Sequence, residues 1–348
     1  MKRDQAHFRG CLLGGAIGDA LGWPVEFQSL AHIKQKYGSA GITTLDLGGK
    51  QVAEFTDDTQ MTLFTAEGLL RAETRYRHKG ICHPPAVVYY AYLRWLHTQG
   101  YPRLEDKDFI YDGWLIGVKQ LNTRRAPGNT CLSALSSGRF GSMEEPINDS
   151  KGCGGVMRVA PVGLLARKDQ AFHLAAECAA LTHGHPSGYL SAGVLAHVVA
   201  CLIEGLELEA AVQDALVMIG SYKGSQECVA AITKAIELAG QDLDATAAIR
   251  ELGEGWVGEE AIAIALYCAL KYKTDFNKAL CAAVNHDGDS DSTGAITGNI
   301  LGAYLGLAGI PAEWVSEVEM QDILIQVADD LLIGYEKGEE WWKRYPGY

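Results

Sequence analysis

The chain has 348 residues, 48% of them hydrophobic and 21% charged, enough to bury a substantial core in one large domain or two closely packed ones. A formal charge of −13 at pH 7 argues against direct nucleic-acid binding by the protein as a whole, so an anionic ligand needs local help. The 9 cysteines, an odd number without a C-x-x-C pair, fit reduced thiols in the cytoplasm and small buried hydrophobes, and none is assigned a catalytic role.

Along the chain, Lys2-Arg3 before Cys11 to Ile17 imitates a short signal peptide, but Asp19 interrupts the apolar run. The other apolar stretch, Ser191 to Leu206, carries His197 and Glu204, so neither a targeting segment nor a membrane span is expected. Glycine returns every fourth residue at Gly10, Gly14, Gly18 and Gly22, and again at Gly294, Gly298, Gly302 and Gly306. Because glycine costs helix stability, the two ridges predict two central helices in very close backbone contact. The first should end near Asp19 to Gly22, where Pro24 turns the chain and frees Glu26.

Residues 38–54 are glycine-rich and without period, and read as a long loop able to cover a site before the Thr56-Asp57-Asp58-Thr59 helix start. Apolar spacing of three and four then predicts helices over 85–98, 109–121, 156–167, 170–182, 187–204, 208–220, 226–239, 259–271, 275–284 and 320–335. Strand-like alternation is scarce, so the expected fold is all-α, a compact multi-helix body of a single domain over 1–348. Residues 122–155 read as a second loop, and Asp329-Asp330 as the solvated face of a terminal helix.

The acidic clusters at Asp57-Asp58 and at Asp287, Asp289 and Asp291 each open an apolar helix. A single Asp pair there is ordinary N-capping. Two clusters mixed with Thr and Ser supply the hard oxygen donors that Mg²⁺ or Mn²⁺ prefer. Lys151-Gly-Cys-Gly-Gly-Val-Met-Arg158 places flexible glycines before a helix, where backbone N–H groups can meet phosphate oxygens, although it is neither a Walker loop nor G-x-G-x-x-G. His183 and His185 lack the partners of a zinc site, and a loop histidine facing a ligand is the preferred reading.

Taken in order, Gly14 to Gly22 with Glu26, Phe55 to Thr59, Gly152 to Arg158, Thr182 to Pro186, and Asp287 to Gly294 resemble the ADP-ribosylglycohydrolase family over about residues 8–304. The resemblance implies an orthogonal multi-helix fold with two Mg²⁺ (or Mn²⁺) ions at the base of an ADP-ribose cleft. Thr56, Asp57 and Asp58 match one ligand group; Asp289, Asp291 and Ser292 match the other, with Ser292 where family members often carry Thr. Gly152, Cys153, Gly154, Gly155, Val156, Met157 and His185 match segments that contact ADP-ribose, and Glu26 or Asp58 would serve as acid or base, Glu26 being favoured. The implied activity is hydrolysis of ADP-ribose from protein side chains, arginine first. Serine-linked or small-molecule conjugates are alternatives, as is a non-catalytic module binding ADP-ribose or a toxin. A cognate ADP-ribosyltransferase toxin would be the partner if the chain serves as an immunity protein. A terpenoid synthase, the other Asp-rich all-helical class, would require D-D-x-x-D, which Asp58-Thr-Gln-Met does not supply.

Overall fold

The computed structural model describes residues 2–347. Its helices are α1 (Gln5–Gly22), α2 (Leu30–Tyr37), α3 (Asp57–Lys79), α4 (Pro84–Thr98), α5 (Asn129–Ser136), α6 (Ala160–Leu165), α7 (Lys168–Ala180) and α8 (Pro186–Glu204). There follow α9 (Leu208–Gly220), α10 (Gln226–Ala239), α11 (Ala245–Leu252), α12 (Gly258–Lys271), α13 (Phe276–Val284), α14 (Ser290–Leu305), α15 (Ala312–Glu317), α16 (Gln321–Ile333) and α17 (Glu339–Arg344). Among the described residues β pairing is limited to the isolated bridges Ala53–Val318 and Gly152–Val257, so the fold is all-α as expected.

The glycine ridges meet each other. A Cβ on Gly14 would lie 2.4 Å from the carbonyl oxygen of Gly298, and one on Gly18 would lie 2.0 Å from that of Gly294. Only hydrogen fits in that seam, which makes α1 and α14 the most intimately packed pair in the molecule. Around it lies the main core, with Phe8, Phe64, Trp95, Phe172 and Trp314 fully buried, and a second, smaller cluster gathers Leu238, Ile249, Ile264 and Tyr267. Helix α8 is long and apolar enough to cross a membrane, yet 94% of its apolar window is buried inside the protein.

Four expectations are corrected. The helix expected over 109–121 is a series of short 3-10 turns, because Gly113 adopts φ 93° where a Cβ would strike the Arg71 guanidinium at 2.2 Å. Residues 122–155 contain a helix, α5. Asp330 is not solvated: it is 1% exposed, accepting from the Tyr345 hydroxyl (2.7 Å) and from Arg344. The 38–54 loop is present, but it packs away from the candidate site, with the Ile42 N–H donating to Asn285 (2.9 Å) and Ala53 bridging Val318.

Candidate active site

The two central helices place their ends together, and the acidic clusters come with them. Thr56 caps α3, its hydroxyl accepting from the Asp58 N–H (3.3 Å). Asp289 caps α14 and accepts from the Ser292 N–H (3.3 Å). Beyond this ordinary capping, Glu26, Asp57, Asp58, Asp289, Asp291 and Ser292 converge on one cavity of about 230 Å³. Asp57, Asp58, Asp289 and Asp291 are each 4% exposed or less, and among the described residues no lysine or arginine pairs with them. Two oxygens, Glu26 Oε2 and Asp58 Oδ2, are buried without a hydrogen-bond partner.

Such crowding opposes ionisation. Burial first, and then mutual repulsion, push the Asp57 carboxyl up to about 8 and Glu26 up to about 9, and raise Asp58 and Asp291 well above the usual range. Among the described residues no basic side chain compensates the cluster. All its donors are hard oxygens on helix-fixed side chains, so the residues fit Mg²⁺ or Mn²⁺ and fit a soft metal poorly. Of the two thiols in the lining, Cys153 lies against the carboxylates: it donates to Asp289 Oδ2 (2.8 Å), and burial followed by that carboxylate drives its acidity down, so it stays a neutral thiol.

Several neighbours not assigned to the site from sequence hold it in shape. Asp19, fully buried in α1, accepts from the Thr56 and Thr59 N–H groups (2.9 and 3.0 Å) and from the Thr59 hydroxyl (2.6 Å), fixing the start of α3. Its visible signal was an acid inside an apolar glycine ridge. The Gly128 N–H donates to Asp57 Oδ2 (3.2 Å), so the unexpected α5 begins at the cavity and adds Asn129, Thr130 and Cys131 to its wall. Residues 254–258 brace both remaining walls: the Asp289 N–H donates to the Glu254 carbonyl (2.8 Å) and the Cys153 N–H to that of Trp256 (3.1 Å). At the rim, Trp256 stacks on Phe27, ring centroids 5.1 Å apart.

The other expected residues divide. Gly152, Cys153, Gly154 and Met157 line the cavity, whereas Gly155 packs beneath it, where a Cβ would lie 2.7 Å from the Gly188 carbonyl, and Val156 is buried. His185 caps α8, its Nδ1 accepting from the Ser187 N–H (3.1 Å), while His183 faces the cavity. Position just before Pro186, itself the first residue of α8, marks His185 as the cap; spacing alone does not separate the two. Asp287 also turns away, accepting from the Leu30 N–H (2.8 Å). Elsewhere His197, Cys201 and Asp214 gather between α8 and α9, but Asp214 is already engaged by His197 (2.6 Å) and Lys168 (2.9 Å), a fastening of the two helices.

An all-helical body whose paired helix starts aim carboxylates at a glycine loop defines a hydrolase-like cleft of a particular kind. The chain belongs to the ADP-ribosylglycohydrolase family, whose description matches residues 1–340. It is 26% identical to the ADP-ribosylhydrolase ARH3 of Mus musculus, over 91% of this chain and 88% of that one. It is likewise 26% identical to the ADP-ribosylarginine hydrolase Tri1 of Serratia proteamaculans, over 93% of this chain and 78% of that one. A solved structure of an ADP-ribosylglycohydrolase-related protein complex superposes with a TM-score of 0.65 at 26% identity, covering 96% of this chain and 99% of that chain. Family membership makes the protein a hydrolase that removes ADP-ribose from ADP-ribosylated substrates.

Proposed function

We propose that this chain is a divalent-cation-dependent hydrolase that releases ADP-ribose from modified arginine side chains. The observation that carries the reading is the cavity itself, where five buried or half-buried acids without a basic partner face Gly152, Cys153 and Gly154. Thr56, Asp57 and Asp58 on one side and Asp289, Asp291 and Ser292 on the other would hold two cations, Mg²⁺ or Mn²⁺. Bound there, such ions supply Lewis acidity for ribose hydroxyls and acidify a water.

The chain's own residues do the rest. The glycine loop leads into α6 and would take the diphosphate. Glu26 holds its proton above neutrality while its acidic neighbours are uncompensated, and compensation of Asp289 and Asp57 lowers it toward the range where a carboxyl both gives and takes a proton. It would donate that proton to the departing nitrogen as the bond from nitrogen to the anomeric carbon breaks and water oxygen takes its place, the proton shed by that water returning to the carboxylate, to yield free ADP-ribose and unmodified arginine. Asp58 is the less suitable acid because a cation ligand is a poor proton carrier. Phe27 and Trp256, stacked on each other, give the cleft an apolar edge.

Arginine is favoured over other linkages by the likeness to the Tri1 relative and by the acidic lining of the cavity, which complements a guanidinium. The test offers arginine-linked, serine-linked and small-molecule ADP-ribose conjugates side by side with Mg²⁺ or Mn²⁺. Fastest release from the arginine conjugate is expected. Fastest release from serine would replace the linkage, and binding of ADP-ribose without any release would replace hydrolysis with a binding role.

A further inference from the structure

Arg158 is fully buried and, among the described residues, has no acidic partner. Its Nη1 donates to Cys131 Sγ (3.3 Å) and lies 3.6 Å from Met61 Sδ, and its Nη2 donates to the Thr182 hydroxyl (2.7 Å) and lies 3.4 Å from the Cys178 carbonyl. The guanidinium carbon sits 4.3 Å from the centroid of the Tyr92 ring, and Nε has no partner. Burying a cation without a carboxylate is costly, more so than any structural staple requires, since an apolar side chain would fill the same space.

The arrangement has a direction. Thr182 has one hydroxyl hydrogen; its oxygen already accepts from Arg158, and it sits 2.8 Å from His183 Nδ1 but 3.4 Å from the Ala179 carbonyl. Either sense of the 2.8 Å contact is sterically open, but the Arg158 cation on the Thr182 oxygen makes that hydroxyl the better donor and disfavours a ring N–H aimed at the same charge, a sense in which Nδ1 accepts and the ring proton stays on Nε2. That nitrogen lies against the glycine loop: a Cβ on Gly152 would meet it at 3.4 Å and one on Gly154 at 3.2 Å. His183 is 1% exposed, lines the cavity, and among the described residues no hydrogen bond reaches its Nε2. Burial and the charge on Arg158 push the ring's acidity so far, to about 3, that it stays neutral at physiological pH.

We propose that Arg158 is a positioning residue which, through Thr182, locks His183 in its Nε2–H tautomer so that the glycine loop carries one fixed N–H donor for a diphosphate oxygen. A ribose hydroxyl can give or take a hydrogen bond and would tolerate either tautomer. An ionised phosphate oxygen only accepts, so only that ligand rewards the lock. The inference rests on the ADP-ribose reading of the site, but its first half is measurable without ligand.

The experiment uses ¹⁵N-histidine-labelled protein, with the His183 signal assigned by its loss in His183→Gln. Wild type should show protonated Nε2 and bare Nδ1, unchanged from about pH 6 to 8 given a ring so hard to protonate. Thr182→Val should mix the tautomers and weaken ADP-ribose binding and KM by roughly tenfold, with kcat nearly unchanged, as expected for loss of one charge-assisted hydrogen bond. Arg158→Met should do the same at a lower melting temperature, and Arg158→Lys should restore part of the affinity. If Arg158→Met does not fold, Thr182→Val alone decides. A wild-type ring protonated on Nδ1, or a Thr182→Val protein keeping both tautomer and affinity, overturns the proposal. A locked ring in a protein that binds no ADP-ribose would contradict the ADP-ribose reading and leave the relay standing.

Discussion

At the scale of single residues, Asp57 and Asp291 come from helices that start far apart in sequence yet share one small cavity. Replacing either by Asn removes a hard anionic donor while keeping shape, so cation affinity should fall by tenfold or more and turnover should nearly vanish. Calorimetric titration with Mn²⁺ checks the first and product release the second. Glu26 gives a different expectation, since it follows a 3-10 turn at Trp23–Val25 and carries an unpartnered buried oxygen. Glu26→Gln should lower kcat by about 10²- to 10⁴-fold. Its melting temperature should hold or rise, because Gln folds without the proton that Glu26 must take up at neutral pH. A kcat within twofold of wild type would move the proton-carrying role to another group.

At the scale of elements, the seam between α1 and α14 is the part that tolerates least. A Cβ on Gly298 would lie 1.9 Å from the Gly14 carbonyl oxygen, with backbone on both sides and no flexible side chain to yield. Gly298→Val should therefore cost about 3 kcal/mol or more, measured by urea unfolding, and should weaken cation binding as the helix starts shift apart. Gly38→Ala meets no neighbouring atom but sits at φ 94°, so a smaller loss from backbone strain alone is expected there. These ridges were legible in the sequence because a four-residue glycine period has few other meanings in a chain with no membrane-like stretch around it. The carboxylate clusters were legible for a similar reason, as mixed Asp and Thr or Ser at helix starts. What stayed hidden depended on tertiary partners. Nothing in residues 122–155 announced α5, which is held by the burial of Cys131, Leu132 and Leu135 in the main core and not by its own helical signal. Asp330 looked solvated because Arg344 and Tyr345, which bury it, lie beyond the helix that carries it. His183 and His185 could be told apart only once α8 was seen to begin at Pro186.

At the scale of the whole molecule, the carboxylate cluster ties stability to pH. Burial and like charge push the folded Asp57 and Glu26 carboxyls up to about 8 and about 9, from ordinary values of 3.8 and 4.5, so between those limits the cation-free native state binds more protons than the unfolded chain. Stability must then fall as pH rises through that window. Chelated protein should accordingly melt at a lower temperature at pH 8 than at pH 5, and Mg²⁺ or Mn²⁺, which would replace those protons, should flatten or reverse the slope. Thermal scans at several pH values with and without cation check this, and a chelated protein that gains stability toward pH 8 would contradict it. The account depends most heavily on one claim, that the two distant acidic clusters make a single cation centre. Anomalous diffraction from crystals soaked in Mn²⁺ tests it most directly. The account predicts density between the Asp57–Asp58 and Asp289–Asp291 carboxylates; soaked crystals with no anomalous peak in that cavity would contradict it.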